Sequence, residues 1–221
     1  MPVPISIKLQ SDFSSYFQKN VLREITQQLN RNVRKIHTSI KTQIKEAVRD
    51  LLFSAPEVTE LMGGILQGQL GVVNPTSKIT GIIDTWVQNI EVSTVVNKMA
   101  SRAGPLLTIE IKILRQDYSD VLSLPQSAYE SVGSRGTFII EWLRWLLLEG
   151  DRTIANYFFM PGNMRQSRTR LGIMVQKEGR RWSVPPQFRG IATDNFATRA
   201  LVQLDKTIDK IVEMEVKRVM R

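Results

Sequence analysis

The sequence predicts an α+β fold in which helices at both ends of the chain flank a mixed or antiparallel sheet of about five strands. Three observations support this prediction. A long N-terminal segment repeats its apolar residues with the period of a helix, and a second segment does so at the C terminus. Shorter segments between them alternate apolar and polar residues, which is typical of strands.

The first helix has the clearest pattern. Its apolar residues recur at a mean spacing of about 3.6, the period of a straight α-helix; they are Leu22, Ile25, Leu29, Val33, Ile36, Ile40, Ile44, Ala47 and Leu51. No glycine or proline occurs from Ser11 to Ala55, so we predict one amphipathic helix of roughly 60 Å, preceded by a short strand from Ile5 to Leu9. A small domain cannot cover so long a helix along its whole length. Either the helix packs across the entire protein, or part of its apolar stripe contacts a partner subunit.

The middle of the chain predicts short helices, turns and a strand. Ser54 to Pro75 is rich in glycine and proline, which indicates turns and short helical pieces. Ile79 to Ile90 is predicted to be a short amphipathic helix, and Leu106 to Leu114 alternates as a half-buried strand. Phe138 to Leu148 is apolar nearly all round, so a buried helix with both its tryptophans in the core is predicted there.

The last third predicts a strand, a hairpin and a long helix. Thr153 to Met160 has strand character, and Leu171 to Gln176 and Arg181 to Val184 flank KEGR. We predict a β-hairpin at KEGR, with Gly179 supplying a positive φ.

The final helix is predicted from Thr193 to Met220, with Thr193 or Asp194 as the N-cap, Phe196 inward and Arg199 outward. Its inward residues further along are Ala197, Leu201, Leu204, Ile208 and Ile211. We predict two domains: an N-terminal strand and helical arm, residues 1–53, and an α+β core with the C-terminal helix, residues 54–221.

Composition excludes several classes of protein. There is no cysteine and one histidine, His37, which is expected on a solvated helix face, so thiolate or histidine-rich metal sites and cysteine nucleophiles are not expected. No phosphate-binding, dinucleotide-binding or nucleophile-elbow motif occurs. We therefore expect a protein that is not an enzyme, with no cofactor and no small-molecule substrate. No signal peptide or membrane span is predicted, which favours synthesis in the cytosol.

The formal net charge of +9 predicts an acidic partner. The excess lies in two segments, Arg23 to Arg49 and Met164 to Gly190, and arginine outnumbers lysine six to one in the second. The second segment is called the arginine-rich stretch below. Candidate interface or DNA-facing residues are Arg31, Arg34, Lys41, Lys45, Arg49, Arg165, Arg168, Arg180, Arg181 and Trp182. Three interpretations remain open: phosphate contacts with Trp182 stacked on a base, an arginine-rich protein interface, or a solvated surface.

A weaker pattern raises the alternative of a nuclease. Glu110 and Lys112 share the polar face of the predicted strand, and with an upstream carboxylate such as Asp84 they resemble a metal-dependent nuclease site. Cross-strand charge pairing accounts for the same alternation. Asp117 and Asp120 are expected in a turn rather than a metal site.

Four segments occur along the second half of the chain in the order DYSDVLSLP, EWLRWLLLEGD, SRTRLGIM and RWSVPPQFRGIATDNFATRAL. This ordered series resembles the tail-completion or neck proteins of tailed bacteriophages. The resemblance covers roughly Ser54 to Leu201 and is strongest in the second half. One departure lies in the third segment, where the family pattern leads us to expect glycine after SRT and this chain has Arg170.

The resemblance implies a structural virion protein with a compact α+β unit. It implies a homo-oligomeric ring of six or twelve subunits at the neck, through which the genome passes. Its neighbours would be a connector or stopper and the tail tube or sheath, with non-specific contact to genomic DNA as a further possibility. It implies a place in the virion, and in the host cytoplasm during assembly. The alternatives are a non-specific DNA-binding protein and the nuclease described above.

Overall fold

The computed structural model describes residues 5–6, 15–96, 107–112, 117–133 and 136–220. Its helices are α1 (Ser15–Phe53), α2 (Pro56–Gly63), α3 (Ile65–Leu70), α4 (Pro75–Gln88), α5 (Ser119–Leu122), α6 (Trp142–Leu147) and α7 (Phe196–Met220). Its strands are β1 (Ile5–Ser6), β2 (Glu91–Val96), β3 (Leu107–Lys112), β4 (Tyr129–Gly133), β5 (Gly136–Ile140), β6 (Ile154–Pro161) and β7 (Gly172–Trp182). The predicted α+β class is confirmed, with a long helix at each end.

The chain divides into two compact units. Unit 1 comprises Met1–Ala47, Asn89–Ile113 and Leu204–Arg221, and unit 2 comprises Val48–Gln88 and Leu114–Gln203. The helices α1 and α7 each contribute residues to both units. These units follow spatial contacts rather than chain order; the division into domains 1–53 and 54–221 stays a prediction.

The described strands form three small antiparallel sheets rather than one sheet of about five strands. Their orders are β1-β3-β2, β4-β5 and β6-β7. The prediction of one sheet was wrong because alternation shows that a segment is extended but carries no information on its hydrogen-bonding partner. The strand β2 was not predicted, although its run of β-branched residues favours a strand.

Several predicted boundaries are confirmed in part. The predicted strand from Leu106 to Leu114 is confirmed over β3, and its ends lie outside the described residues. The same holds for the first strand beyond Ser6. The short helices between Ser54 and Pro75 are α2 and α3, and the helix predicted from Ile79 begins earlier, at Pro75.

In unit 1, α7 packs against α1. The buried apolar side chains of this part are Leu29, Ile36, Ile40 and Ile44 from α1 and Leu204, Ile208, Ile211 and Val212 from α7. Gln43 Nε2 donates a hydrogen bond to Glu215 Oε1 at 2.7 Å. The apolar stripe from Leu29 to Ile44 is thus largely buried within the chain itself, which agrees over this stretch with the first alternative, packing within the protein; contact of other parts of the stripe with a partner subunit stays a prediction.

The end of the α1 stripe differs from the prediction. Val48 and Leu52 are buried, whereas Ala47 and Leu51 are half-buried. From Ile36 onward the buried positions follow one another at steps of four, so the buried face turns around the helix relative to a stripe of mean spacing about 3.6.

His37 does not lie on a purely solvated face. It is half-buried, and its Nδ1 shares a hydrogen bond with Thr94 Oγ1 of β2 at 3.1 Å. The contact was invisible in the sequence because β2 was not predicted, so no partner for this imidazole could be expected.

The core of unit 2 is organised around the buried amide of Asn195. Its Nδ2 lies within hydrogen-bonding distance of Tyr118 Oη (2.8 Å), Leu147 O (3.1 Å) and Ile191 O (2.9 Å). Its Oδ1 accepts hydrogen bonds from the backbone N–H groups of Ala197 and Thr198, each at 3.1 Å. One side chain therefore joins the turn before α5, the end of α6, the loop after β7 and the start of α7.

Asn195 is also the N-cap of α7, and the prediction of Thr193 or Asp194 was wrong. Both are exposed, and the N–H groups that need an acceptor belong to the second and third residues of the helix. The helix begins at Phe196, whose ring is buried against Trp86 with centroids 6.1 Å apart. The inward position of Phe196 is confirmed.

The segment Phe138 to Leu148 is not one buried helix. Its first three residues belong to β5, which pairs with β4, and the helix α6 covers only Trp142–Leu147. The burial of both tryptophans is confirmed: Trp142 Nε1 donates to Gln126 O at 3.0 Å, and Trp145 packs against Trp182. An all-apolar run does not distinguish a buried strand from a buried helix, which explains the error.

The predicted hairpin at KEGR does not form. Residues on both sides of KEGR belong to one strand, β7, and both sides pair with β6. Ala155 pairs with Arg181 and Tyr157 pairs with Gln176. The four residues of KEGR therefore lie opposite the single residue Asn156 and form an irregular bulge. Gly179 has the predicted positive φ, 74°, although it lies in a bulge and not in a turn; glycine adopts this left-handed conformation without steric cost.

We predict that Asn195→Ala destabilises the protein by about 2–4 kcal/mol. The loss combines an N-cap, worth about 1 kcal/mol, with buried groups left without a donor, which costs about 1–3 kcal/mol. Urea unfolding followed by circular dichroism measures the change. Thr193→Ala, at an exposed position, is the matched control and should change stability by less than about 0.5 kcal/mol. Equal effects of the two variants would contradict the assignment.

A buried carboxylate in unit 2 depends on a single arginine. The Glu57 side chain is 1% exposed, and its Oε1 accepts a hydrogen bond from Arg199 Nη2. Glu57 Oε2 has no hydrogen-bond partner within the described ranges. Arg199 also contacts Asp194 Oδ1 at 2.5 Å. Burial alone would lower the pKa of Arg199, but the hydrogen bonds and charges of Asp194 and Glu57 raise it above its ordinary value. Arg199 is thus half-buried in an ion pair rather than simply outward.

We predict that Arg199→Ala destabilises unit 2 by at least about 2 kcal/mol, because it leaves the Glu57 carboxylate buried without a counter-charge. The cost is expected to be below that of a fully buried pair, since the Arg199 side chain is 40% exposed. The double variant Glu57→Leu with Arg199→Ala should recover much of the loss in the same urea experiment. A double variant as unstable as the sum of the singles would show that the pair is not coupled.

Candidate interface surfaces

The outer face of α1 carries basic side chains with few internal partners. Between Glu24 and Glu46 the helix has five basic residues and no acidic residue. Arg31 and Arg34 are exposed, and Lys41 and Lys45 are half-buried. Burial lowers the pKa of Lys45, and the nearby positive charge of Lys41 lowers it further. Like charges four residues apart on a helix repel each other. The lowered pKa of Lys45 therefore reflects its burial together with the density of positive charge on this face of α1.

The last predicted residue of this face, Arg49, has partners within unit 2. Its Nε lies 2.9 Å from Asp84 Oδ1, and its guanidinium lies 4.7 Å from the centroid of the Phe53 ring. Arg49 therefore contributes to contacts inside unit 2, whereas the other basic residues of this face lie in unit 1; they are Arg31, Arg34, Lys41 and Lys45.

An open groove lies beside this basic face in unit 1. Its volume is about 580 Å³, and its lining residues are Arg34, Lys35, Thr38, Ser39, Thr42 and Gln43 from α1 with Arg218 from α7. Arg218 Nη2 lies 2.6 Å from Glu215 Oε2, so the charge of Arg218 is largely balanced. The net positive charge of the groove comes from Arg34 and Lys35.

Several side chains of the arginine-rich stretch make contacts within unit 2. Trp182 is buried, with its ring centroid 6.0 Å from that of Trp145, which argues against base stacking by this indole. Arg180 lies 5.8 Å from the centroid of the Phe158 ring. Arg165 and Arg181 are exposed, and no ion pair to either is present among the described residues.

Arg189 and Arg168 have structural roles in the stretch. Arg189 donates from Nε to Val184 O at 2.9 Å and from Nη2 to Ser183 Oγ at 2.8 Å, which closes the loop that contains both prolines. The Arg168 guanidinium lies 4.2 Å from the centroid of the Tyr129 ring.

Tyr129 is a contact residue that the sequence did not reveal. Its hydroxyl donates to Leu70 O at 2.7 Å, and Lys78 Nζ lies 5.8 Å from its ring centroid. Burial raises the pKa of Tyr129, partly opposed by the charge of Arg168; burial also lowers the pKa of Lys78, as does Arg168. The sequence around Tyr129 gives no indication that Lys78 and Arg168 lie near its ring. Only the tertiary structure shows these two cation–π contacts.

The segment SRTRLG forms a tight loop closed by Ser167. Its hydroxyl donates to Gly172 O at 2.6 Å and accepts from Gly172 N at 3.2 Å, and Leu171 N donates to Thr169 Oγ1 at 3.3 Å. Within this loop Arg170 has φ 63°, the left-handed conformation that glycine prefers. The glycine expected after SRT thus coincides with a position where this chain holds an arginine in an unfavourable backbone conformation.

The structure shows no contact among the three residues of the nuclease pattern, Asp84, Glu110 and Lys112, in the side chains that it describes. Asp84 is paired with Arg49, and the side chains of Glu110 and Lys112 lie outside those the structure describes. In the described part of the chain no group of three or more His, Asp or Glu residues could hold a metal ion. Asp117 lies in a turn, as predicted, and its Oδ1 accepts a hydrogen bond from Ser119 N at 3.1 Å. Asp120 instead lies in the short helix α5, so the turn prediction was wrong for this residue.

None of the described helices is long and apolar enough to cross a bilayer. Comparison with protein-family models, with curated protein sequences and with solved structures found no match for this chain. The resemblance to phage neck proteins therefore stays a prediction from the four sequence segments.

We predict that Arg170→Gly stabilises the protein by up to about 1 kcal/mol. Glycine removes the cost of a left-handed side-chain residue, about 1–2 kcal/mol, and part of that gain is lost to the greater freedom of glycine in the unfolded chain. Thermal unfolding measures the shift. Arg170→Lys, which keeps a side chain and the charge, is the control and should leave the midpoint unchanged. A less stable glycine variant would show that the Arg170 side chain makes compensating contacts.

Proposed function

We propose that this chain is a non-enzymatic structural protein of the neck of a tailed bacteriophage. In this proposal its copies form a closed ring of six or twelve that serves tail completion and head–tail connection, and the genome passes through the ring. The observation that carries the proposal is the ordered series of four segments between Asp117 and Leu201 that resembles neck proteins.

The positions of these segments in unit 2 support the use of the resemblance as an argument about fold. Tyr118 from the first segment and Leu147 from the second both meet the amide of Asn195 from the fourth. Ser167 and Gly172 close the loop of the third. Because these residues build the core and a tight loop rather than a solvated surface, their resemblance bears on the architecture of unit 2.

Open sheet edges in unit 2 are compatible with assembly. Both described sheets of this unit have two strands, so each leaves outer edges without a ladder partner within the described ranges. Ile139 on β5 is 65% exposed. Two-stranded sheets are marginal by themselves, and exposed edges are commonly covered in assemblies. In a ring, each subunit presents two different surfaces to its two neighbours, and these edges are candidates for such contacts.

The proposed neighbours follow from the position in the neck. A connector or stopper lies on the head side and the tail tube or sheath lies on the tail side. The protein is proposed to occupy the virion, and the host cytoplasm during assembly. The main alternative is a non-specific DNA-binding protein without a place in a particle, and the observation in its favour is the basic face of α1, which has five basic residues and no acidic residue between Glu24 and Glu46.

The proposal predicts a small and constant number of copies in each particle. Quantitative mass spectrometry of gradient-purified particles from the source of this sequence, calibrated on the major tail-tube protein, should give about six or twelve copies. The copy number should not change between preparations or after a high-salt wash, because a ring subunit is held by specific contacts.

Two results would contradict the proposal. Absence from purified particles would remove the structural role and favour the DNA-binding alternative. A copy number that falls with salt washing would indicate a protein that adheres to packaged or released DNA rather than a ring subunit.

A further inference from the structure

The two basic segments of the chain differ in how much of their charge the fold itself uses. In the arginine-rich stretch, Arg168 and Arg180 lie over aromatic rings and Arg189 closes a loop. On α1, no ion pair or aromatic contact to Arg31, Arg34 or Lys35 is present in the part of the chain that the structure describes. Three of the seven basic residues of the arginine-rich stretch are thus engaged by the fold, whereas the centre of the α1 row makes no such contact within the described ranges.

The basic residues of α1 lie in a straight row along one side of the helix. From Arg31 to Lys45 the helix rises about 21 Å, a length over which one strand of duplex DNA carries about six phosphates. Thr38 and Thr42 are exposed between the basic residues on the same side of the helix. The Thr38 hydroxyl is a further donor of the kind that contacts phosphate oxygens, whereas the Thr42 hydroxyl donates to Thr38 O at 3.0 Å.

The groove beside the row is lined by polar and charged residue types and lacks the apolar anchors of a peptide site. Its lining is composed of arginine, lysine, threonine, serine and glutamine side chains. Grooves that bind peptides or helices use apolar anchors buried in pockets, and this lining contains no aromatic or aliphatic residue. Charge complementarity together with the lack of an apolar anchor favours a polyanion over an acidic protein segment.

We propose that the outer face of α1, with Arg31, Arg34 and Lys35 at its centre, binds the phosphodiester backbone of double-stranded DNA without sequence specificity. The inference rests on the proposed function, in which it assigns the surface that contacts the genome. Arginine, lysine and threonine contacts to phosphates carry no base information, and the arginine-rich stretch is not needed for this binding.

The experiment measures binding of the full-length chain to a fluorescent 30-base-pair duplex by anisotropy over a series of salt concentrations. The test variant replaces Arg31, Arg34 and Lys35 by glutamine, which is a good helix former. The control variant replaces Arg165, Lys177 and Arg181 by glutamine. These three are also exposed, and the control changes the net charge by the same amount, so a general effect of charge is equal in both.

The α1 variant is expected to lose roughly tenfold to several hundredfold in affinity at about 0.1 M salt. Its log–log salt slope should fall in magnitude by about 1–3, since each lost phosphate contact removes about 0.9. The control variant should keep a slope within about 1 of the wild type. Circular dichroism checks that both variants keep the helical content of the wild type.

Three outcomes would overturn the inference: no DNA binding by the wild-type chain at low salt, equal losses in both variants, or a loss confined to the control variant. Preference of the wild type for poly-glutamate over the duplex would assign the face to an acidic protein instead. A constant copy number in particles together with any of these results would reject the DNA contact while the ring proposal stands.

Discussion

The architecture of unit 2 depends on one buried amide. Asn195 is fully buried and joins the turn before α5, the end of α6, the loop after β7 and the first turn of α7. Buried polar groups are costly unless they are satisfied, and here a single side chain satisfies several of them at once. Three of the four segments that resemble neck proteins are far apart in sequence, and the contacts of Asn195 bring them together in the fold.

The close packing around Asn195 is reinforced by the backbone. A Cβ atom on Gly190 would lie 1.7 Å from Leu146 O, so only glycine fits there, and Gly150 N donates to Gly190 O at 2.8 Å. The end of α6 is thus held against the loop that leads into α7 by main-chain contacts as well as by the amide. The ion pair of Glu57 with Arg199 ties the first turns of α7 to α2 within the same unit.

Charge has two different roles in this protein. In unit 2, several arginines serve the fold: the Arg168 guanidinium lies over the Tyr129 ring, Arg199 forms an ion pair with the buried Glu57 carboxylate, and Arg189 closes a loop. In unit 1, the basic residues of α1 project from a helix whose other side is buried. Composition counts both groups in the same net charge and does not reveal which of these residues the fold engages. Ring assembly and a DNA-contacting surface are compatible proposals because they draw on different residues.

The sequence by itself determined the α+β class, the two long helices, the strands β3 and β6, the burial of Trp142 and Trp145, and the positive φ of Gly179, because these follow from local periodicity and backbone preference. Only the tertiary structure decided which strands pair, that KEGR is a bulge, and that Asn195 caps α7. It also decided which basic residues are internally engaged. Apart from the N-cap bonds of Asn195, which are local, these features depend on contacts between residues distant in the chain, such as Arg168 with Tyr129 and His37 with Thr94, and no local pattern encodes such contacts.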